Sequence, residues 1–81
     1  MNRLFTKSGC PACMMLKQEI ARNPRLMQGI VERDIASGTG PGLEYFMSGF
    51  RSVPTLQMDN GAVLVGTGQI VQYLKARAGA R

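Results

Sequence analysis

Two cysteines separated by two residues, Cys10 and Cys13, are the side chains of this sequence best suited to chemistry. They follow a short predicted strand and a turn, and Pro11 suits the first turn of a helix, so Cys10 is expected where a helix begins. Free backbone N–H groups at a helix start stabilise a thiolate, the species that attacks a disulfide. Cys13 lies one turn further along and can resolve a mixed disulfide. The pair therefore predicts thiol–disulfide exchange, with Cys10 as nucleophile and Cys13 as resolving thiol.

Two other interpretations of the cysteine pair stay open at this point. A structural zinc ion takes a full tetrahedral set of ligands. With two Cys and no His in the sequence, zinc would need a dimer or carboxylates, and we expect no metal. The pair could instead be buried and inert, although Gly9 and Pro11 favour a turn that exposes Cys10. A disulfide across so short a loop would restrict the unfolded chain very little, so the pair is a poor structural staple and its presence needs another reason.

Two later segments are candidates for binding. Pro54 stands just before a predicted strand, where a cis peptide bond favours a tight turn. A cis Val53–Pro54 bond, which we expect, would leave the backbone of Val53 free to pair with an extended peptide or thiol ligand. Gly66, Thr67 and Gly68 lead into the last predicted helix, and a glycine-containing helix start lets an anion approach the backbone. A trans proline and a plain tight turn are the alternatives.

The composition excludes several classes of function. A chain of 81 residues fits one domain, spanning residues 1–81. The absence of His removes Ser–His, Cys–His and His–metal mechanisms within one chain. The net charge is +5, but the basic residues are scattered, so no nucleic-acid binding is expected. No apolar run predicts a membrane span or a signal peptide, and the two cysteines fit a reducing, cytoplasmic compartment.

The elements that must position these residues alternate between strand and helix. Strands are predicted at residues 3–6, 29–35, 55–58 and 62–65, and helices at 11–22, 43–48 and 69–78. Breaker residues at 37–42 predict a loop, and Asp59-Asn60-Gly61 predicts a hairpin turn. The first half requires a right-handed crossover between parallel strands, and the second half ends in an antiparallel hairpin. The fold class is therefore α/β, with βαβ followed by αββα.

Three segments in this order, over nearly the whole chain, resemble the glutaredoxin family. They are residues 5–13, 49–54 and 65–68, which read FTKSGCPAC, GFRSVP and VGTG. The resemblance implies a thioredoxin fold, β-α-β-α-β-β-α, with a four-stranded mixed sheet flanked by three helices. It also implies a monomeric thiol–disulfide oxidoreductase that reduces protein or mixed disulfides through its redox-active C-P-A-C dithiol.

The resemblance further implies a site for glutathione as co-substrate, with no bound cofactor. Lys7 would assist the thiolate or meet a glutathione carboxylate, and Arg51 would hold the glycine carboxylate. Val53 would pair its backbone with the cysteine of glutathione. Thr67 and Gly68 would receive its γ-glutamyl end. The substrate-binding set implied in this way comprises Lys7, Pro11, Arg51, Val53, Pro54, Gly66, Thr67 and Gly68.

Two positions depart from the glutaredoxin pattern. Ala12 stands where the family usually has Tyr, and Gln69 follows the glycine turn where an acidic residue usually pairs with the glutathione ammonium. Residues 33–35 and 49–51 also resemble the redoxins that donate electrons to ribonucleotide reductase for deoxyribonucleotide synthesis and are reduced by thioredoxin reductase. That electron donor is the first alternative function. A non-catalytic thioredoxin-fold module whose basic surface docks an acidic protein is the second.

Overall fold

Four strands and three α-helices alternate along the computed structural model, which describes residues 2–37, 40–47, 49 and 52–79. In chain order they are β1 (Asn2–Thr6), α1 (Pro11–Arg22), β2 (Ile30–Asp34), α2 (Gly40–Met47), β3 (Thr55–Gln57), β4 (Val63–Val65) and α3 (Thr67–Gly79). Short 3₁₀ helices at Pro24–Met27 and Ile35–Ser37 precede β2 and α2. Within the described part of the chain, no helix combines the length and apolar character needed to cross a membrane.

The strands form one mixed sheet in the order β2-β1-β3-β4. β1 runs parallel to β2 and antiparallel to β3, and β4 is antiparallel to β3. Leu4, Phe5 and Thr6 of the inner strand β1 are all buried, because elements cover both faces of the sheet there. The predicted fold class, a four-stranded mixed sheet with three helices in the thioredoxin arrangement, is confirmed.

The main apolar core lies between one face of the sheet and the helices α1 and α3. Its buried members are Leu4, Leu16, Leu26, Ile30, Leu56, Ile70 and Leu74. Side chains alternate between the faces of a strand, so Phe5 faces the other side, where its ring packs against Tyr45 of α2 with centroids 5.6 Å apart. The two faces together fix β1, and therefore the turn that follows it, from both sides.

Two helices begin earlier than the sequence predicts. α2 begins at Gly40, inside the predicted loop, because a proline such as Pro41 is well tolerated in the first turn of a helix. α3 begins at Thr67 rather than at residue 69. Gly66 adopts a φ of +94° and its carbonyl accepts the Ile70 N–H at 3.1 Å, so the glycine itself opens the first turn.

The strand directions bring three chain segments to one edge of the sheet. β1 and β4 end at this edge and β3 begins there, because β3 is antiparallel to both of them. The segments that follow β1 and β4, and the segment that precedes β3, contain Cys10, Gly66 and Pro54 respectively. The topology therefore brings Cys10 together with two segments that are more than forty positions away in the sequence.

Candidate active site

Cys10 is the N-cap residue of α1, at the edge of the sheet just described. Its backbone is extended, with φ −89° and ψ 115°, and its Sγ accepts the Cys13 N–H at 3.2 Å. Pro11 is the first helical residue, where its missing N–H costs no hydrogen bond. The Met14 N–H donates to the Cys10 carbonyl at 2.9 Å and closes the first turn. The sulfur of Cys10 thus occupies the position that a side-chain oxygen takes in an ordinary cap.

The two cysteines differ in exposure. Both are free thiols, but Cys10 is half-buried whereas Cys13 has no exposed surface. The interpretation in which both cysteines are buried and inert therefore does not describe this structure. No group of three or more His, Cys, Asp or Glu side chains among the described residues is placed to hold a metal ion.

The acidities of the two thiols are shifted in opposite directions. The hydrogen bond with the Cys13 thiol is the main cause that lowers the pKa of Cys10. The N–H groups of Cys13 and Ala12 and the charge of Lys17 lower that pKa further, against an opposing contribution from burial. Burial, followed by the hydrogen bond with Cys10, raises the pKa of Cys13 to about 11. Near neutral pH, Cys10 is therefore the thiol that ionises, while Cys13 keeps its proton.

Lys17 is a part of the site that the sequence analysis missed. Its charge lowers the pKa of both thiols, and its Nζ lies 3.2 Å from Glu32 Oε2 on β2. Lys17 stands four residues after Cys13 and seven after Cys10. Those are spacings that share one face of a helix, so helical periodicity could have identified it. Lys7, the cation named from the sequence, is exposed in the turn, and its carbonyl accepts the Cys10 N–H at 3.3 Å.

Direct contacts join the cysteine segment to the segment before β3. The Val53–Pro54 peptide bond is cis, as expected from the sequence. The Cys10 thiol faces the Val53 carbonyl oxygen, with sulfur and oxygen 3.9 Å apart. Pro54 is buried, and the hydroxyl of Thr55 donates to the carbonyl of Ser52 across the bend. The backbone of Val53 therefore forms one wall beside the Cys10 sulfur.

The glycine turn before α3 completes the edge. The Gly66 N–H donates to the Pro54 carbonyl at 3.0 Å, and the Thr67 hydroxyl donates to the Ala12 carbonyl of α1. The side chain of Thr67 is thus used to tie α3 to α1. Its backbone N–H and that of Gly68 belong to the first turn of α3, where N–H groups have no acceptor within the helix.

The structure brings together most of the site residues predicted from the sequence. The residues gathered around Cys10 are Cys13, Val53, Pro54, Gly66 and Thr67, as the contacts above show. Pro11 is exposed at the start of α1, and Gly68 is exposed in the first turn of α3. Arg51 lies outside the described residues.

Comparison with known proteins gives one family. Residues 30–81 match the family described as "Glutathione S-transferase, N-terminal domain". No curated protein matches the chain. The matched segment runs from β2 to the end of the chain, so it contains the cis-proline segment and the glycine turn but neither cysteine. Because the match covers well over half of the chain and the architecture is the thioredoxin fold, this chain belongs to the family of glutathione S-transferase N-terminal domains, within the thioredoxin-like superfamily.

Proposed function

We propose that this protein is a dithiol–disulfide oxidoreductase of glutaredoxin type, which reduces protein or mixed disulfides with electrons from glutathione. The observation that carries the proposal is the difference between its two thiols. Cys10 is accessible at a helix start with a lowered pKa, whereas Cys13 is buried one turn away with a pKa of about 11. A nucleophile and a resolving thiol need this difference, because only the first must be ionised before the substrate arrives.

The reaction proceeds by two exchanges of sulfur partners. The Cys10 thiolate attacks one sulfur of the substrate disulfide, whose S–S bond breaks, and the departing thiolate takes up a proton. Cys13 then loses its proton and attacks the Cys10 sulfur, which releases the second substrate thiol and leaves a Cys10–Cys13 disulfide. The substrate gains two electrons and the enzyme loses two. Two molecules of a thiol such as glutathione return them and leave as the oxidised disulfide.

The neighbouring backbone supplies the proposed binding surface for glutathione. The Val53 backbone lies beside the Cys10 sulfur and would pair with the cysteine unit of an extended tripeptide. The free N–H groups at the start of α3, those of Thr67 and Gly68, would accept the γ-glutamyl carboxylate. Arg51 and Lys7 would meet the remaining carboxylate. The name of the matched family, whose segment includes these backbone elements, supports a glutathione-related ligand.

The cellular setting is part of the same proposal. A catalytic dithiol must be kept reduced, which fits a monomer working in the cytoplasm on disulfide-containing protein substrates. No nucleic acid or membrane takes part. Ribonucleotide reductase is the protein substrate for the alternative in which thioredoxin reductase, rather than glutathione, supplies the electrons.

The deciding experiment identifies the reductant. NADPH consumption would be followed with a disulfide substrate, once with glutathione and glutathione reductase and once with thioredoxin reductase. We expect turnover with glutathione. Turnover only with thioredoxin reductase would contradict the role of glutathione and favour the alternative in which the protein is a redoxin. Inactivity in both systems, together with stoichiometric zinc in the purified protein, would favour the non-catalytic binding module instead.

The cysteine variants test the order of the two steps. We expect Cys10→Ser to abolish turnover, because it removes the attacking sulfur. Cys13→Ser should leave the first step intact and accumulate a mixed disulfide on Cys10, which intact-protein mass spectrometry detects as an added substrate mass. A Cys13→Ser protein that forms no adduct with any disulfide would contradict the assigned roles.

A further inference from the structure

A chain of polar contacts links the end of β1 to the side of α1 that bears the cysteines. The Thr6 hydroxyl donates to Glu32 Oε2 at 2.9 Å, and the same oxygen lies 3.2 Å from Lys17 Nζ. Thr6 is fully buried, while the side chains of Lys17 and Glu32 are 43% and 41% exposed. We propose that Glu32 is a positioning residue that holds the Lys17 ammonium on the cysteine side of α1, an inference that rests on the proposed dithiol chemistry.

The strand register determines where Glu32 points. Glu32 is paired with Leu4 in the parallel β1–β2 ladder, so the two side chains lie on the same face of the sheet. Leu4 packs with Leu16 of α1 in the main core. The carboxylate of Glu32 is therefore directed to the α1 side of the sheet, where the next residue of the helix, Lys17, meets it. The fixed backbone of β2 anchors one end of the ion pair.

An anchor matters because a lysine side chain does not hold its own position. Its ammonium sits on a flexible four-carbon stem, and an unanchored Lys17 would extend into solvent, where salt and water weaken its effect on a thiolate. The charge of Lys17 lowers the pKa of Cys10 and of Cys13. Glu32 thus acts on the dithiol through Lys17. The hydroxyl of Thr6, in β1, holds the Glu32 carboxylate in place by its hydrogen bond.

The other charged and titratable groups around the cysteines provide the controls. Asp34, at the end of β2, accepts hydrogen bonds from Ser8 Oγ at 3.2 Å and from the Ala36 N–H at 2.9 Å rather than from a lysine. Lys7 lies in the exposed turn before Cys10, and burial, followed by the charge of Cys13, raises the pKa of Tyr45 of α2. Asp34→Asn therefore removes a carboxylate from the same strand while leaving the Lys17 anchor in place.

The test is the pH dependence of iodoacetamide alkylation of Cys10 in the reduced protein. We expect Lys17→Met and Glu32→Gln each to raise the pKa of Cys10 by about half a unit. Alkylation then slows about twofold at pH values below that pKa, because the roughly threefold loss of thiolate is partly offset by the greater nucleophilicity of the thiolate that remains. The double variant should be no slower than Lys17→Met alone, because Glu32 acts through Lys17. Lys17→Arg, which keeps the charge and the bond to Glu32, should restore the wild-type rate.

Several outcomes would overturn the proposal. Faster alkylation in Glu32→Gln would mean that the carboxylate acts as a repelling anion rather than as an anchor. Additive effects of the two substitutions in the double variant would also overturn the proposal. So would an equal slowing of Cys10 alkylation in Asp34→Asn. Lys75→Met serves as a second control, because Lys75 of α3 pairs with Glu19 of α1 at the same 3.2 Å separation, and it should leave the rate unchanged.

Further controls distinguish an effect on the acidity of Cys10 from an effect on folding or on turnover. Gln can still accept the Thr6 hydroxyl, and a thermal melt checks that each variant is folded. If Glu32→Gln fails to fold, Glu32→Asp keeps the charge but shortens the reach to Lys17. It should slow alkylation in the same direction, and an unchanged rate would overturn the proposal. Alkylation needs no disulfide substrate, so failure of the turnover assay and failure of this positioning role are observed independently.

Discussion

At the scale of single residues, the site depends on the unequal environments of two identical side chains. Cys10 caps α1 and receives N–H donors, which favour its thiolate. Cys13, three residues later, faces the interior, where an ionised sulfur loses its hydration. The hydrogen bond between the two sulfurs shifts the two pKa values in opposite directions, down for Cys10 and up for Cys13. Position on the first helical turn thus makes Cys10 the more acidic of the two thiols.

This inequality predicts selective modification. A lowered pKa leaves more of Cys10 as thiolate at neutral pH than an ordinary cysteine, whereas Cys13 stays protonated until the pH approaches about 11. Alkylation of the reduced protein at pH 7 should therefore modify Cys10 alone, and the rate should rise with pH through the pKa of Cys10 and then level off. Peptide mass spectrometry after brief iodoacetamide treatment reads out the site. Equal labelling of both cysteines in the folded protein would contradict the prediction.

At the scale of elements, two helix starts hold the site and they are built differently. The start of α1 uses a side chain, the Cys10 sulfur, as its cap. The start of α3 uses the left-handed conformation of Gly66, whose N–H and carbonyl bond to Pro54 and Ile70 respectively. The Thr67 hydroxyl then ties this second start to the first. The conformation of Gly66 therefore matters to both helices.

Two glycine variants distinguish the effect of backbone conformation from the effect of the room available for a side chain. An added Cβ would meet no atom within 4 Å at Gly66 or at Gly68, but only Gly66 has a positive φ. Gly66→Ala should therefore lower the free energy of unfolding by about 1–2 kcal/mol, because a residue with Cβ is strained in that region. Gly68→Ala should be neutral or stabilising by up to about 1 kcal/mol, since alanine favours a helix. Urea unfolding of both variants provides the comparison, and equal destabilisation would contradict it.

The sequence predicted these elements well where the signal was local. The cysteine spacing, Pro11 and the Asp59-Asn60-Gly61 turn each act within a few residues, and the elements they imply are present. The early start of α2 was missed because a run of glycine and proline was interpreted as a loop. The helical spacing of Lys17 from Cys13 was a local signal that went unused, whereas the contact of Lys17 with Glu32, fifteen residues further on in β2, could not be predicted locally. Contacts of that kind follow from the register of the sheet rather than from any local pattern.

At the scale of the whole molecule, the sheet order assembles the site. The contacts of Cys10 with Val53 and of Thr67 with Ala12 span 43 and 55 residues of sequence. They exist because the carboxyl ends of β1 and β4 and the amino end of β3 lie at one edge of the sheet. The match to residues 30–81 contains two of the three segments at that edge but neither cysteine. The first βα unit thus adds both cysteines to the matched region.

A core substitution tests how far the site depends on the stability of this assembly. Leu56 is fully buried at the centre of β3, opposite Leu4, and belongs to the same apolar cluster as Leu16 of α1. Leu56→Ala should lower the free energy of unfolding by about 2–5 kcal/mol, because it removes buried methyl groups and leaves a cavity. That is a large share of the stability of so small a domain, which is typically about 5–15 kcal/mol.

The matched control for that variant is Val63→Ala. Val63 lies on the edge strand β4 and is 40% exposed, so its truncation should cost less than about 1 kcal/mol. Urea unfolding measures both costs. Below the urea concentrations that unfold Leu56→Ala, the alkylation rate of its Cys10 should stay at the wild-type value, because helix α1 keeps its cap in every folded molecule. A slowed rate in the folded state would show instead that packing in the middle of the sheet changes the acidity of Cys10.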